Sequence, residues 1–391
     1  MSYESRITDG LEATFRRTAS NEITRDVRDL RWIIFSDHHR GGRGPDDRFA
    51  LAERAYNAAL GYYVEAGYTL LLLGDVEELW ANHPAAVIKS YPYTLELESE
   101  FFLKDRYVRF YGNHDSEWSS GHRTKDHLWP FFPGLRVKEG LRVRLIDGGS
   151  TIGTLFLAHG HQGSRFGDRH QRIARFAVRN FWRPAQRLLR SPWTTPAADF
   201  ELRERHDRAL YRWAARHRHV VLIAGHTHRP VFMSESLSRK VSRELLNARL
   251  GLADQPDAPD LRRRVASLRA ELEWIRTGST NGSRGIRSPG NGIKPCYFNT
   301  GCCSFPDGDI TGIEISEGSI RLVRWPDRQR KPRPQVLATA DLVRDVFAGP
   351  RSPDRAGQNL HAAGLVGTSY AADATSAGPT WITGGNGDQG T

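Results

Sequence analysis

Apolar residues recur in this chain as short runs of strand length, each broken by a cluster of glycine and polar residues. The run at 69–73 (TLLLL) is apolar throughout, which suits a strand covered on both faces. Similar runs lie at 31–35 (RWIIF) and 107–110 (YVRF). The first ends at Asp37, His38 and His39, the second at Gly74 and Asp75, and the third at Gly112, Asn113, His114 and Asp115. Asp37 and Asp75 are 38 residues apart, as are Asp75 and Asn113. That distance fits a strand, a crossover helix and a parallel return strand. Residues 46–66, with Phe49, Ala52, Tyr56 and Leu60 at helical spacing, predict the first crossover helix, ended by Gly67.

Further strands are predicted at 141–146, 154–158, 220–224, 296–299, 310–315 and 320–324. One of these ends at His159, Gly160 and His161, and another at Gly225, His226, Thr227 and His228. Two helical insertions separate them, at 162–219 and 234–293. In the second, Leu261, Val265, Leu268, Leu272 and Ile275 step by four and three. With Leu237, Val241, Leu245 and Leu246 they predict a self-packing hairpin. Residues 278–292 read as a Gly/Ser/Asn-rich loop. The domain is expected to span 31–326, after an N-terminal segment (1–30) that reads as polar and helical or loose. Residues 327–391, rich in Pro, Gly, Ala, Ser and Thr, are expected to be disordered apart from a short helix near 341–347.

Composition narrows the class. At 391 residues and 39% hydrophobic content the chain can bury a sizeable core. No apolar run is long enough to span a bilayer, and residues 1–6 lack the apolar segment of a secretory signal. Three cysteines, Cys296, Cys302 and Cys303, fit neither a disulfide framework nor a zinc knuckle, so a cytoplasmic, reducing setting is expected. Net charge is +11, and residues 162–219 hold fourteen arginines against five acids. From Arg165 to Arg190 arginines step by three or four beside Ile173, Ala177, Phe181 and Leu188. This reads either as a solvated surface helix or as a basic amphipathic lid meeting an anionic membrane or lipid at 162–190. No nucleic-acid-binding motif is present, so nucleic acid is not an expected partner.

The strand ends bring together Asp37, His39, Asp75, Asn113, His159, His226 and His228. Oxygen and imidazole donors without thiolate suit Mn, Fe, Zn or Co better than Mg. Seven donors exceed one catalytic ion that keeps an open position, and fit two divalent ions sharing a bridge. Two metals about 3.5–4 Å apart can clamp the attacking and leaving oxygens of a displacement at phosphorus. A lone Asp-x-His or Gly-Asp is weak; five pieces in order, each after a strand, carry the reading.

That order, Asp-x-His, Gly-Asp, Gly-Asn-His-Asp, His-Gly and Gly-His-x-His, resembles the calcineurin-like metallophosphoesterase superfamily. The resemblance implies an α/β fold, a four-layer α/β/β/α sandwich here carrying two helical insertions. It implies a dinuclear-metal-dependent hydrolase of phosphoester bonds. Asp37, His39 and His228 would hold one ion, and Asn113, His159 and His226 the other. Asp75 would bridge both, with a hydroxide that attacks phosphorus in line. His114 would face the phosphoryl group, and Asp115 would orient its imidazole. His38 would point to the other side of its strand, and His161 reads as a support for His159 or the phosphate. Residues 74–80 (GDVEELW) and 225–230 (GHTHRP) are similar to the bacterial UDP-2,3-diacylglucosamine pyrophosphatases, which implies a lid over a lipid substrate. This chain has His114 and His161 where that group has Arg and Asp. Trp80, Arg123 and Arg229 lie near the loops and stay outside the catalytic set. The alternative substrate readings are a UDP-linked lipid at the membrane surface, and a nucleic acid or cyclic nucleotide.

Overall fold

The computed structural model describes residues 1–44, 47–164, 196–255, 257–278, 294–328 and 332–348. Its strands are β1 Ile23–Asp26, β2 Arg31–Phe35, β3 Thr69–Leu72, β4 Tyr107–Arg109, β5 Gly140–Asp147, β6 Ser150–Ala158, β7 Val220–Ala224, β8 Val231–Phe232, β9 Glu235–Ser236, β10 Tyr297–Asn299, β11 Ile310–Ser316, β12 Ser319–Trp325 and β13 Gln335–Asp341. Its helices are α1 Tyr3–Arg17, α2 Glu53–Glu65, α3 Pro84–Ser90, α4 Pro92–Leu103, α5 Gly121–His127, α6 Pro196–Arg216, α7 Leu237–Asp254 and α8 Pro259–Gly278. One sheet runs β13-β12-β11-β2-β3-β4, the other β1-β5-β6-β7-β10-β8-β9.

Side-chain alternation sorts the apolar residues into layers. On β2, Trp32 and Ile34 join Leu71 and Leu73 in a core shared with Leu155 and Leu157 of β6 and Val221 and Ile223 of β7. The intervening Ile33, Phe35, Leu70 and Leu72 face α2 and α4, packing on Tyr56, Leu60 and Leu95. On the far side Phe156, Ala158, Leu222 and Ala224 meet Ile7 and Leu11 of α1 and Leu210 and Trp213 of α6. The result is the α/β/β/α sandwich, with helices outside both sheets. Strands β2, β3 and β4 are parallel, as are β6 and β7, so their polar ends gather at one edge of the sandwich.

Three boundaries differ from the sequence reading. Residues 1–30 are not an outlying segment. Ser2 caps α1 by accepting from the Ser5 amide at 3.1 Å, Ile7 and Leu11 are buried one turn apart, and β1 pairs in parallel with β5. α6, assigned to a lid-like insertion, is an outer layer of the sandwich: Ala209, Leu210, Trp213 and Ala214 are buried against β6 and β7. The domain does not end at 326. β13 adds to β12 from Ser319 and Asp341 to Arg324 and Gln335, and a π-helical turn at Leu342–Phe347 follows. Its buried face is mostly alanine, Ala338 and Ala340, which gives little apolar signal. The 234–293 insertion contains α7 and α8, packed on each other through Val241, Leu245, Val265, Leu268 and Leu272. The arginine series at 165–190, the loop at 279–293 and residues 349–391 lie outside the described residues. Among the described residues no helix is long and apolar enough to cross a membrane.

Leu342 is fully buried in the inter-sheet core. Leu342→Ala should therefore cost about 2–5 kcal/mol in urea unfolding. A disordered tail at this position would leave stability unchanged.

Candidate metal centre

Five strand-end loops converge. Asp37 and His39 follow β2, Asp75 follows β3, Asn113 and His114 follow β4, His159 follows β6, and His226 and His228 follow β7. Asp37, His39, Asp75, His226 and His228 all have left-handed backbones, with φ from 50° to 71°. For non-glycine residues this costs on the order of 1–3 kcal/mol each and persists where the surroundings enforce it. Backbone bonds do so here. The Asp37 amide donates to Gly74 O at 3.1 Å, His39 to Asp75 O at 3.0 Å, and Gly225 to His159 O at 3.0 Å.

The side chains form two adjoining sets. In one, His228 Nε2 lies 3.3 Å from Asp37 Oδ1 and 3.1 Å from His39 Nε2, with the two rings stacked. In the other, His159 Nε2 lies 3.1 Å from Asp75 Oδ2, and the His159 and His226 rings are 5.2 Å apart. Asp75 Oδ2 is also 3.9 Å from His39 Nε2 and so adjoins both sets. Asp37/His39/His228 and Asp75/His159/His226 are groups whose ligand atoms lie within 4.8 Å of one another and could hold a metal ion. A third such group, His39/Asp75/His114, overlaps them. Asn113 is buried in the same turn as His114, whose amide donates to Asp75 Oδ1 at 2.8 Å.

These residues fit divalent ions. Asp37 Oδ1 and His159 Nε2 are buried and make no hydrogen bond, which is costly unless a further group satisfies them. Two imidazole nitrogens and a carboxylate oxygen aimed at one point are donors suited to a transition metal.

The family model for calcineurin-like phosphoesterases matches residues 30–230. The chain belongs to that family. No curated protein matches it. As a calcineurin-like phosphoesterase it is a phosphoester hydrolase, of a family that typically uses a dinuclear metal centre.

Electrostatics in this phosphoesterase divide the histidines. Burial holds His226 and His228 well below the usual imidazole range, so both are neutral with a lone pair to offer. Burial would lower His159 and His114 too, but carboxylates outweigh it and raise each to about 9: Asp75 and Asp37 for His159, Asp75 and Glu78 for His114. Burial would raise Asp75, yet His159 and His114 hold it well below the usual carboxylate range.

The supporting contacts correct one assigned role. Asp115 does not orient His114. Its carboxylate accepts from the amides of Gly112 at 2.6 Å, Asp75 at 3.2 Å and Val76 at 2.9 Å, tying the turn after β4 to the one after β3. Glu78 holds His114 instead, through Nδ1 at 2.9 Å, and also bonds His39 Nδ1 at 3.1 Å. Trp80 stacks on His114 at 4.1 Å and donates to Asn113 O at 2.7 Å. Two acids in succession after Gly74-Asp75 were the available signal for Glu78, but a partner 36 residues away is visible only in the fold.

His38 lies on the helix side of β2, against Tyr56 at 4.6 Å and Phe49 at 5.6 Å. His159 is oriented by Leu73 O, 2.8 Å from its Nδ1, and not by His161. The His161 ring lies 5.4 Å from His159, and burial, with the neighbouring His159, lowers it to about 3. Residues missed from sequence include Ser36, which bonds Asp37 and lies 2.6 Å from Thr300 Oγ1, and Asn299, which donates to Gly225 O at 2.6 Å.

Asp115→Ala would strand three buried amides at roughly 1–3 kcal/mol per lost acceptor. Thermal unfolding should therefore show a large loss of stability. Glu78→Gln should change turnover far more than stability. The reverse pattern would return the orienting role to Asp115.

Proposed function

We propose that the chain hydrolyses phosphoesters with two divalent ions, one held by Asp37, His39 and His228 and the other by Asn113, His159 and His226, with Asp75 shared. The observation that carries this is the position of Asp75 Oδ2, 3.1 Å from His159 Nε2 and 3.9 Å from His39 Nε2. The family's activity supports it independently. When bound, the ions supply Lewis acidity that activates water for in-line attack and neutralises phosphoryl charge.

The chain's own residues do the rest. Asp37, Asp75 and His159 have side chains at most 2% exposed, while His228 is 16% and His114 24% exposed. A phosphoryl group therefore approaches from the side bordered by His114 and His228. With Nδ1 engaged by Glu78, His114 presents Nε2 to the phosphoryl or leaving oxygen. Glu78 keeps that imidazole charged, and the Trp80 ring restricts its rotation. The third grouping, His39, Asp75 and His114, draws on the Asp75 already shared by the two ions, and His114, engaged by Glu78, is left for the phosphoryl group.

A UDP-linked lipid, a nucleic acid and a cyclic nucleotide would all use this site and differ only in what surrounds the phosphorus. Contact with an anionic lipid surface through 162–190 rests on arginine spacing alone.

Metal-stripped protein should be inactive and recover with Mn, and Asp75→Asn should not recover. His114→Ala should lower kcat about a hundred- to ten-thousand-fold. Glu78→Gln removes a charge that raises His114, so the alkaline limb of the kcat profile should move to lower pH. An unmoved limb would remove His114 from the role of acid. Hydrolysis by metal-free protein would overturn the whole reading.

A further inference from the structure

The family match begins at residue 30, yet α1 reaches the candidate centre from outside it. Gly10 lies so close to the turn after β6 that a Cβ there would overlap the backbone of Gln162 and Gly163. Gly163, with φ of +76°, is equally tight against the Arg6 carbonyl. α1 is therefore docked backbone to backbone on the loop that carries His159.

A second contact is more specific. His206 of α6 is 2% exposed and sits between the Tyr3 hydroxyl, 2.8 Å from Nδ1, and the Gly160 carbonyl, 2.7 Å from Nε2. A carbonyl only accepts, so Nε2 carries the proton and Nδ1 accepts from Tyr3. Both nitrogens are engaged and the imidazole is neutral. Its ring lies 4.7 Å from the His226 ring. Gly160 directly follows His159, with φ of +107°. One imidazole thus touches the two loops that carry His159 and His226, and neither contact involves Asp37, His39 or His228.

We propose that His206, set by Tyr3 of the N-terminal helix, is a positioning residue for the half of the metal centre formed by His159 and His226, so that α1 is part of the catalytic unit although it lies outside the family domain. This rests on the assignment of His159 and His226 as ligands. Without His206 the Gly160 carbonyl loses its donor and the His226 ring loses a packed neighbour. Outer partners of this kind typically contribute 10–100-fold to metal affinity.

The test is calorimetric titration of Co or Mn into the metal-free full-length chain, with thermal unfolding measured beside it. His226→Ala identifies which ion the second half holds. His206→Ala should weaken that same ion about tenfold or more and leave the other unchanged. Tyr3→Phe, which removes only a hydroxyl and keeps the test open should His206→Ala fail to fold, should weaken it less. His206→Gln, whose amide can donate to Gly160, should recover part of the affinity. If His226→Ala loses an ion but His206→Ala and Tyr3→Phe bind both as wild type, whatever their melting temperatures, the positioning role is overturned alone. If His226→Ala still binds both ions with unchanged affinity, the ligand assignment and the inference fall together.

Discussion

A single buried carboxylate organises this molecule. Asp75 leaves β3 in a left-handed turn with φ of 50°, and one of its oxygens faces imidazoles from both sheets. Holding a carboxylate there is possible only because everything around it yields or donates. Gly112 has no side chain where a Cβ would overlap the Asp75 carboxylate, the His114 amide donates to it, and Asp115 fixes the Asp75 backbone. The same burial that makes an unpaired carboxylate costly makes it a strong site for cations.

Behind this edge the chain is braced by charge. Glu77 and Glu78 are consecutive but serve opposite sides. Glu78 faces His39 and His114, while Glu77 pairs with Arg109 and accepts from Trp118 at 2.8 Å. Arg40 pairs with Glu98, which also accepts from Tyr56 and Tyr107 at 3.0 Å each. Arg40, Glu77, Glu98 and Arg109 are all within 1% of full burial. Such networks add little net stability but penalise any arrangement that breaks a pair. Here that penalty falls on shifts of the segments carrying His39 and Glu78, the two loops that meet at Asp75.

Much of this was legible in the chain because strands that are covered on both faces are conspicuous. Polar residues at the ends of such runs stand out, and in the turn after β2 His38 packs on Tyr56 and Phe49 while His39 faces His228. The layers followed from alternation along the strands. What stayed hidden depended on partners or on weak apolar signal. β13 buries Ala338 and Ala340 rather than large residues, so a sheet strand read as tail. α1 fully buries only two large apolar residues, Ile7 and Leu11, in an otherwise largely polar stretch. Sequence proximity gave Asp115 the role of orienting His114, whereas the fold brings Glu78 to the ring and turns Asp115 toward three amides. α6 falls within the stretch read as a lid-like insertion, yet its buried face makes it an outer layer of the sandwich.

The central claim is that Asp75 lies between two ions. Anomalous diffraction from crystals of the Mn-loaded chain measures this directly. Two peaks about 3.5–4 Å apart, flanking the Asp75 carboxylate, are the expected result. A single peak, or two peaks with Asp75 bound to only one, would contradict it.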